Sequence, residues 1–178
     1  MPNEPVLLVE DDVSDFRLIQ RAFAKITPRV PMIRLSHGDE AVAYLAGDAP
    51  YENRSLHPFP CVILLDIKLP RRSGFEVLEW IRSQDSTMKR LPIIMLTSSN
   101  HDLDVNKAYD LGVNSYLVKP SNSSELEQLV STFRAYWVEL TRGRTFERWG
   151  KNSSEETVWL NPLYQPFYLL KTRLLMRL

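Results

Sequence analysis

The chain has one cysteine, no excess of charge of either sign and no long hydrophobic run, and each absence narrows what its 178 residues can be. A single thiol, Cys61, cannot close an intramolecular disulfide, so a reduced, cytoplasmic setting is the expectation. Lysine and arginine number 22, aspartate and glutamate 22, which leaves no electrostatic case for nucleic acid or an anionic membrane as the main partner. The opening MPNEPVLLVEDD lacks a basic stretch followed by a long apolar one, so no signal peptide is expected. No run approaches the ~20 apolar residues that cross a bilayer. The length suits one domain with a sizeable core and leaves room for an appendage.

What the chain does have is a series of short apolar runs that stop on polar residues. In CVILLDIKLPRRSGFEVLEWI, Val62 to Leu65 are apolar and the run halts on Asp66. A strand buried on both faces of a parallel sheet reads this way, and ligands bind at the carboxyl edge where such strands end. Position alone leaves a second reading open, in which the aspartate caps the next helix. Pro5 to Val9 is a similar run ending on Glu10, Asp11 and Asp12. Apolar residues then recur at Phe16, Ile19, Phe23 and Ile26 with helical spacing. Pro31 to Ser36 predicts an edge strand, Gly38 to Gly47 a short helix and Gly47 to Pro60 a proline-interrupted loop. Beyond Asp66 the pattern predicts a helix over 73–82, a strand over 92–97 ending on Thr97, and a helix over 102–111 stopped by Gly112. A strand over 114–120 ending on Lys119 and Pro120 follows, then a helix over 125–140 with Leu126, Val130, Phe133, Trp137 and Leu140 on one stripe.

Alternating strands and helices with short connections predict an α/β fold. The expectation is a doubly wound five-stranded parallel sheet of flavodoxin-like order 2-1-3-4-5, with helices on both faces and a C-terminal extension. In that order the strand ends converge. Glu10, Asp11 and Asp66 would then crowd three carboxylates together, and each like-charged pair at 4 Å costs about 4 kcal/mol at an effective dielectric near 20. Such a cluster needs a cation. Oxygen-only ligands with no histidine nearby in sequence point to a hard, octahedral ion, hence Mg²⁺ rather than zinc. His37, His57 and His101 fit no metal-ligand spacing and are expected at the surface. A carboxylate beside a divalent metal, with Lys119 and the Thr97 hydroxyl opposite, is equipped to accept a phosphoryl group on Asp66.

The segments VEDD (Val9 to Asp12), DIKLPRRSG (Asp66 to Gly74), LTSS (Leu96 to Ser99) and YLVKP (Tyr116 to Pro120), in that order and each at a strand end, resemble the receiver domain of two-component response regulators. The resemblance divides the chain into a receiver domain, 1–142, and an extension, 143–178, of unassigned role. It implies Asp66 as phospho-acceptor and Asp11 as direct metal ligand, with Glu10 acting through a metal-bound water and the backbone carbonyl of Lys68 completing the protein ligands. Thr97 and Lys119 would bind the phosphoryl oxygens. Tyr116 would report the state by its rotamer, and the Lys119–Pro120 peptide would be cis. Two of these residues also have plainer readings, Thr97 as a strand end and Tyr116 as core. A narrower likeness, carried by the Gly47 to Pro60 loop, LPRRSGFEVLEWIR, LTSSNHDLDVNKAYDLGVNSYLVKP and FRAYWVELT, is to the single-domain regulators that partner cyanobacterial and bacterial phytochromes. It implies a light-sensing histidine kinase as phosphodonor.

On this reading the chain is a signalling module that catalyses only its own phosphorylation and dephosphorylation. The alternative is a phosphotransferase or phosphatase acting on an external substrate through the same carboxylate and Mg²⁺ site. Phosphohydrolases of the haloacid-dehalogenase type want a second acid two residues after the nucleophile, and here that position holds Lys68. Its side chain is expected at the pocket mouth, where it would crowd an attacking water. Arg71 and Arg72 either help dock a kinase or form a solvated loop pair. With no output domain to regulate, the message would pass through the module's own surface, and a homodimer through the fourth helix, fifth strand and fifth helix is expected. Tyr136 is the contact and Trp137 its support, unless both rings simply cover the core. The 36 residues after Arg142 carry six Lys and Arg against three Glu and are too short for a DNA-binding output domain. Their closing FYLLKTRLLMRL suits a membrane surface, a partner or the receiver itself.

Overall fold

Each apolar run becomes a strand, and the residue types between them explain where the helices begin. The computed structural model describes residues 4–25, 30–84 and 88–140. In chain order these are β1 (Val6–Val9), α1 (Val13–Ala24), β2 (Met32–Leu35), α2 (Gly38–Ala46), β3 (Val62–Leu65), α3 (Gly74–Ser83), β4 (Ile93–Thr97), α4 (Asp102–Asp110), β5 (Ser115–Val118) and α5 (Ser123–Phe133). A one-turn 3₁₀ helix, Met88–Arg90, precedes β4, and a π-helical stretch, Arg134–Leu140, continues α5. All the described residues fall in one compact unit. Ile26 and the extension over 143–178 lie outside the described residues.

The five strands pair in parallel in the order β2-β1-β3-β4-β5, the flavodoxin-like arrangement the alternation predicts. β2 is an edge strand, as expected. Alternation along each strand feeds two cores. Leu7, Val9, Ile63, Leu65, Ile93 and Met95 face α2 and α3, where Ala41, Tyr44, Leu45, Val77, Leu78 and Ile81 meet them. Val6, Leu8, Val62, Leu64, Ile94 and Leu96 face α1 and α5, where Ile19, Ala22, Phe23, Leu126, Val130 and Phe133 close the other side. The shared register, Val9 opposite both Leu35 and Leu65 and Thr97 opposite Val118, brings the strand ends to one edge.

The helix boundaries shift from the periodic pattern wherever a capping residue decides them. α1 starts at Val13, ahead of the apolar stripe, because the Asp12 carboxylate accepts the Ser14 and Asp15 amides at 2.6 and 2.9 Å. α3 opens with a capping box between Ser73 and Glu76. α5 starts at Ser123 rather than Glu125, because Asn122 takes the Glu125 amide at 2.8 Å. It does not run as an α-helix to Leu140. Thr132 donates its hydroxyl back to the Gln128 carbonyl at 3.0 Å, a bond that loosens and bends a helix, and the π stretch begins two residues later. The Gly47 to Pro60 loop is built rather than loose. Arg54 donates to the last α2 carbonyls, Tyr44 and Leu45, at 2.7 and 2.8 Å, and the Tyr44 hydroxyl donates to Pro58 O at 2.6 Å. Of the three histidines only His101 is fully at the surface; His37 caps α2 through Nδ1, and His57 is half-buried with its edge against the rings of Tyr44 and Tyr51.

The turn from β3 to α3 depends on Gly74, where a Cβ would sit 2.0 Å from the Asp66 carbonyl oxygen. The obstructing atom is backbone and cannot swing aside. Gly74→Ala is therefore expected to destabilise the chain by about 2 kcal/mol or more in a denaturant titration. A change within about 0.5 kcal/mol, the range of neutral surface substitutions, would contradict this close approach.

Candidate functional site

The sheet's hydrogen-bond ladder runs one residue past each strand and aims the polar groups. Glu10 N–H donates to Leu35 O at 2.9 Å, Asp66 N–H to Val9 O at 3.1 Å and Lys119 N–H to Thr97 O at 2.7 Å. Arg34, from β2, donates to the carbonyls of Glu10 and Asp11 at 3.0 and 2.8 Å and covers the Phe16 ring at 4.7 Å, which pins the end of β1. Glu10 and Asp66 are buried there while Asp11 is exposed. Carboxylate oxygens of the three lie within 4.8 Å of one another.

Lys119 answers that concentration of acid. Its Nζ donates to Glu10 Oε2 at 2.6 Å, Asp66 Oδ2 at 2.7 Å and Asp15 Oδ2 at 2.8 Å. An ammonium has three N–H donors, and these acceptors engage all of them. Burial alone would depress the lysine; the three carboxylates override it and hold the group above its ordinary range. Burial pushes Glu10 the other way for an acid, up to about 7, against the pull of Lys119 and with the help of Asp66 and Asp15. One ammonium among four carboxylates leaves the site strongly negative. Its donor set is all oxygen, so the chemistry fits a hard divalent cation at Glu10, Asp11 and Asp66.

The other expected residues fall around this centre. Thr97 is fully buried at the end of β4, and its Oγ1 accepts the Ser99 N–H at 3.4 Å. Tyr116 lies half-buried against the α2–α3 core, and its hydroxyl donates to the Ser99 carbonyl at 3.0 Å. The Lys68 N–H donates to Asp66 Oδ1 at 3.3 Å, and its side chain is exposed. Asp12 is a cap and not a member of the site. The expected cis Lys119–Pro120 peptide is corrected: that bond is trans, and the cis X-Pro bond among the described residues is Ala49–Pro50. Trans is the intrinsic preference, and the bond from Lys119 N–H to Thr97 O already directs the lysine to the pocket. Arg71 is exposed with φ 66°, and Arg72 bonds Asp39 on α2 at 3.1 Å. Tyr136 is 38 % exposed, and Trp137 packs partly against the α1–α5 core, with the two rings edge to face at 5.0 Å.

Three participants escaped the sequence reading: Asp15, Arg34 and Ser99. Asp15 carried a weak signal, an acid one helical turn after Asp11. Arg34 carried none, because its role depends on strand register, and Ser99 was quoted only within LTSS, with no role of its own, because it acts through its backbone N–H and carbonyl.

The chain matches the family model described as response regulator receiver domain over residues 6–131. It is 39 % identical over 138 residues to the response regulator Rcp1 of Synechocystis, covering 78 % of this chain and 91 % of that protein. The solved structure of the phosphorylated cyanobacterial phytochrome response regulator RcpA is similar with a TM-score of 0.71 at 39 % identity, over 78 % of this chain and 96 % of that one. The Mn²⁺-bound form of Rcp1 is similar with a TM-score of 0.70 at 38 % identity and the same coverage.

Glu10 makes the metal-free site pH-sensitive. A folded-state value near 7 against an ordinary 4.5 means that folding takes up a proton between those values. The stability this group contributes is complete below about pH 4.5 and is lost as pH rises through about 7, a difference on the order of 3 kcal/mol. In chelator, urea midpoints of the wild type are expected to fall from about pH 5 to about pH 7.5, and Glu10→Gln to flatten that slope. Equal slopes in the two proteins would contradict the buried acid's part in it.

Proposed function

Because this chain belongs to the response regulator receiver family, we propose that it is a phosphorelay protein whose phospho-acceptor is Asp66. The observation that carries the assignment is a buried carboxylate at the end of β3, 2.7 Å from Lys119 and among the carboxylates of Glu10 and Asp11. An Asp66 oxygen attacks the phosphorus of a kinase phosphohistidine; the P–O bond forms as the P–N bond breaks, and the imidazole leaves with the electron pair. Lys119 turns a donor from the carboxylate to a phosphoryl oxygen, and the Thr97 hydroxyl, freed from its long contact with Ser99, donates to another. Asp11 and Asp66, the Lys68 carbonyl, and Glu10 through water would hold a divalent cation, proposed to be Mg²⁺, which would supply the positive charge that these anions need to approach one another.

The partner is a sensor histidine kinase. A phytochrome is the proposed kinase, supported by the likeness to RcpA and Rcp1, and the setting is the cytoplasm. No helix among the described residues is long and apolar enough to cross a membrane. The phosphatase alternative finds no favouring observation, since Lys68 stands where that chemistry wants an acid. Switching runs through Thr97 and Tyr116, which meet at Ser99. The receiver comprises residues 1–142, and output is self-association through α4, β5, α5 and the π stretch that continues it, with Tyr136, exposed there, as the contact and Trp137 as its support.

Incubating the full chain with acetyl phosphate tests the reading. Intact mass is expected to rise by one phosphoryl group in wild type with Mg²⁺, and neither in Asp66→Asn nor in chelator. Sedimentation of the same samples is expected to show a dimer in the phosphorylated wild type that Tyr136→Asp abolishes. Phosphate on the Asn variant would overturn the acceptor, and a monomer throughout would overturn the dimer.

A further inference from the structure

Lys119 contacts three carboxylates, and the proposed phosphorylation uses only two of them. Asp66 receives the phosphoryl group and Glu10 turns to the cation. Asp15 does neither, yet its 2.8 Å contact is nearly as short as the other two, at 2.6 and 2.7 Å. It comes from α1 rather than from the sheet edge, with its backbone N–H fixed by the Asp12 cap at 2.9 Å. Its side chain is 40 % exposed where those of Glu10 and Asp66 are 1 % and 7 % exposed. Lys119 therefore has one seat at the water-facing side of the pocket and two inside it.

We infer that Asp15 is a positioning residue that competes with an Asp66-bound phosphoryl group for the Lys119 ammonium and so weakens the hold on that group. The inference rests on phosphorylation at Asp66. Once Asp66 is esterified, its donor from Lys119 is free to pass to a phosphoryl oxygen, and Glu10, engaged elsewhere, relaxes its own contact. Asp15 is then the acceptor that still draws the lysine toward α1. Its charge also opposes a dianionic phosphoryl group within reach of the same ammonium. Both effects act in one direction. An aiming role, whose loss would weaken binding, is already filled by the backbone bond of Lys119 to Thr97 at 2.7 Å, which the turn of Glu10 to the cation leaves in place.

Beryllofluoride, a non-covalent phosphoryl analogue, titrated into the full chain at saturating Mg²⁺ tests this. Asp15→Asn, which keeps the shape and removes the charge, is expected to bind beryllofluoride about three- to fivefold tighter than wild type, the size of a half-exposed ion pair. Asp15→Ser is expected to show the same gain and stands in should the Asn variant fail to fold. Asp15→Glu keeps the charge and is expected to bind as wild type does, with melting temperatures of the variants close to wild type. A gain in the Asn and Glu variants alike, or in neither, or a loss in the Asn variant, overturns the inference. Wild type that binds no beryllofluoride overturns the phosphorylation reading and the inference with it, and that failure shows in the wild type alone.

Discussion

The sheet places two buried carboxylates and an ammonium where water cannot fully solvate them, and the rest of the site follows from how that charge is balanced. Parallel register brings the ends of β1, β3 and β5 to one edge, so Glu10, Asp66 and Lys119 meet whether or not their charges favour it. Hydrophobic burial of the strands on both faces sustains this. Val6 to Val9, Val62 to Leu65 and Ile93 to Leu96 are all buried, and a slip of one residue would turn every one of them to the wrong core. The folding energy of the cores holds the acids together, and Lys119 neutralises only part of what results. The remaining negative charge and the all-oxygen donor set suit the edge to a divalent cation, on which the proposed phosphoryl transfer to Asp66 depends.

From that centre the coupling outward is short. Thr97 touches the Ser99 amide, the Ser99 carbonyl receives Tyr116, and the Ser99 hydroxyl donates to Asp104 in the first turn of α4 at 2.5 Å. Three contacts on one buried serine join the pocket to α4 and β5. If Thr97 moves to a phosphoryl oxygen, Ser99 loses one of them, and the loop that positions Tyr116 and α4 is free to adjust. Val118 at the end of β5 is exposed beside that loop's end of the sheet, its backbone paired with Thr97.

Much of this was legible in the chain because the apolar runs are short, continuous and punctuated by the residues that do the chemistry. Asp66, Glu10, Thr97 and Lys119 were found at strand ends by that punctuation alone, and the sheet order followed from alternation with short links. What escaped has physical reasons. The starts of α1 and α5 were set by Asp12 and Asn122, whose capping bonds precede the apolar stripe that marks a helix. The π stretch that follows α5 from Arg134 leaves the apolar period unbroken and so carries no periodic signal. Asp15 lies in the first turn of α1, and only the parallel register, which carries Lys119 within reach of the end of β1, makes it a partner.

The charge at the sheet edge, on the proposed function, serves to receive a phosphoryl group on Asp66. A crystal structure of the full chain with Mg²⁺ and beryllofluoride tests it most directly. Beryllium is expected bonded to an Asp66 carboxylate oxygen, with Lys119 Nζ and Thr97 Oγ1 each within hydrogen-bond distance of a fluoride. Lys119 still bound to the Asp66 carboxylate, with the analogue elsewhere or missing at saturating concentration, would contradict it.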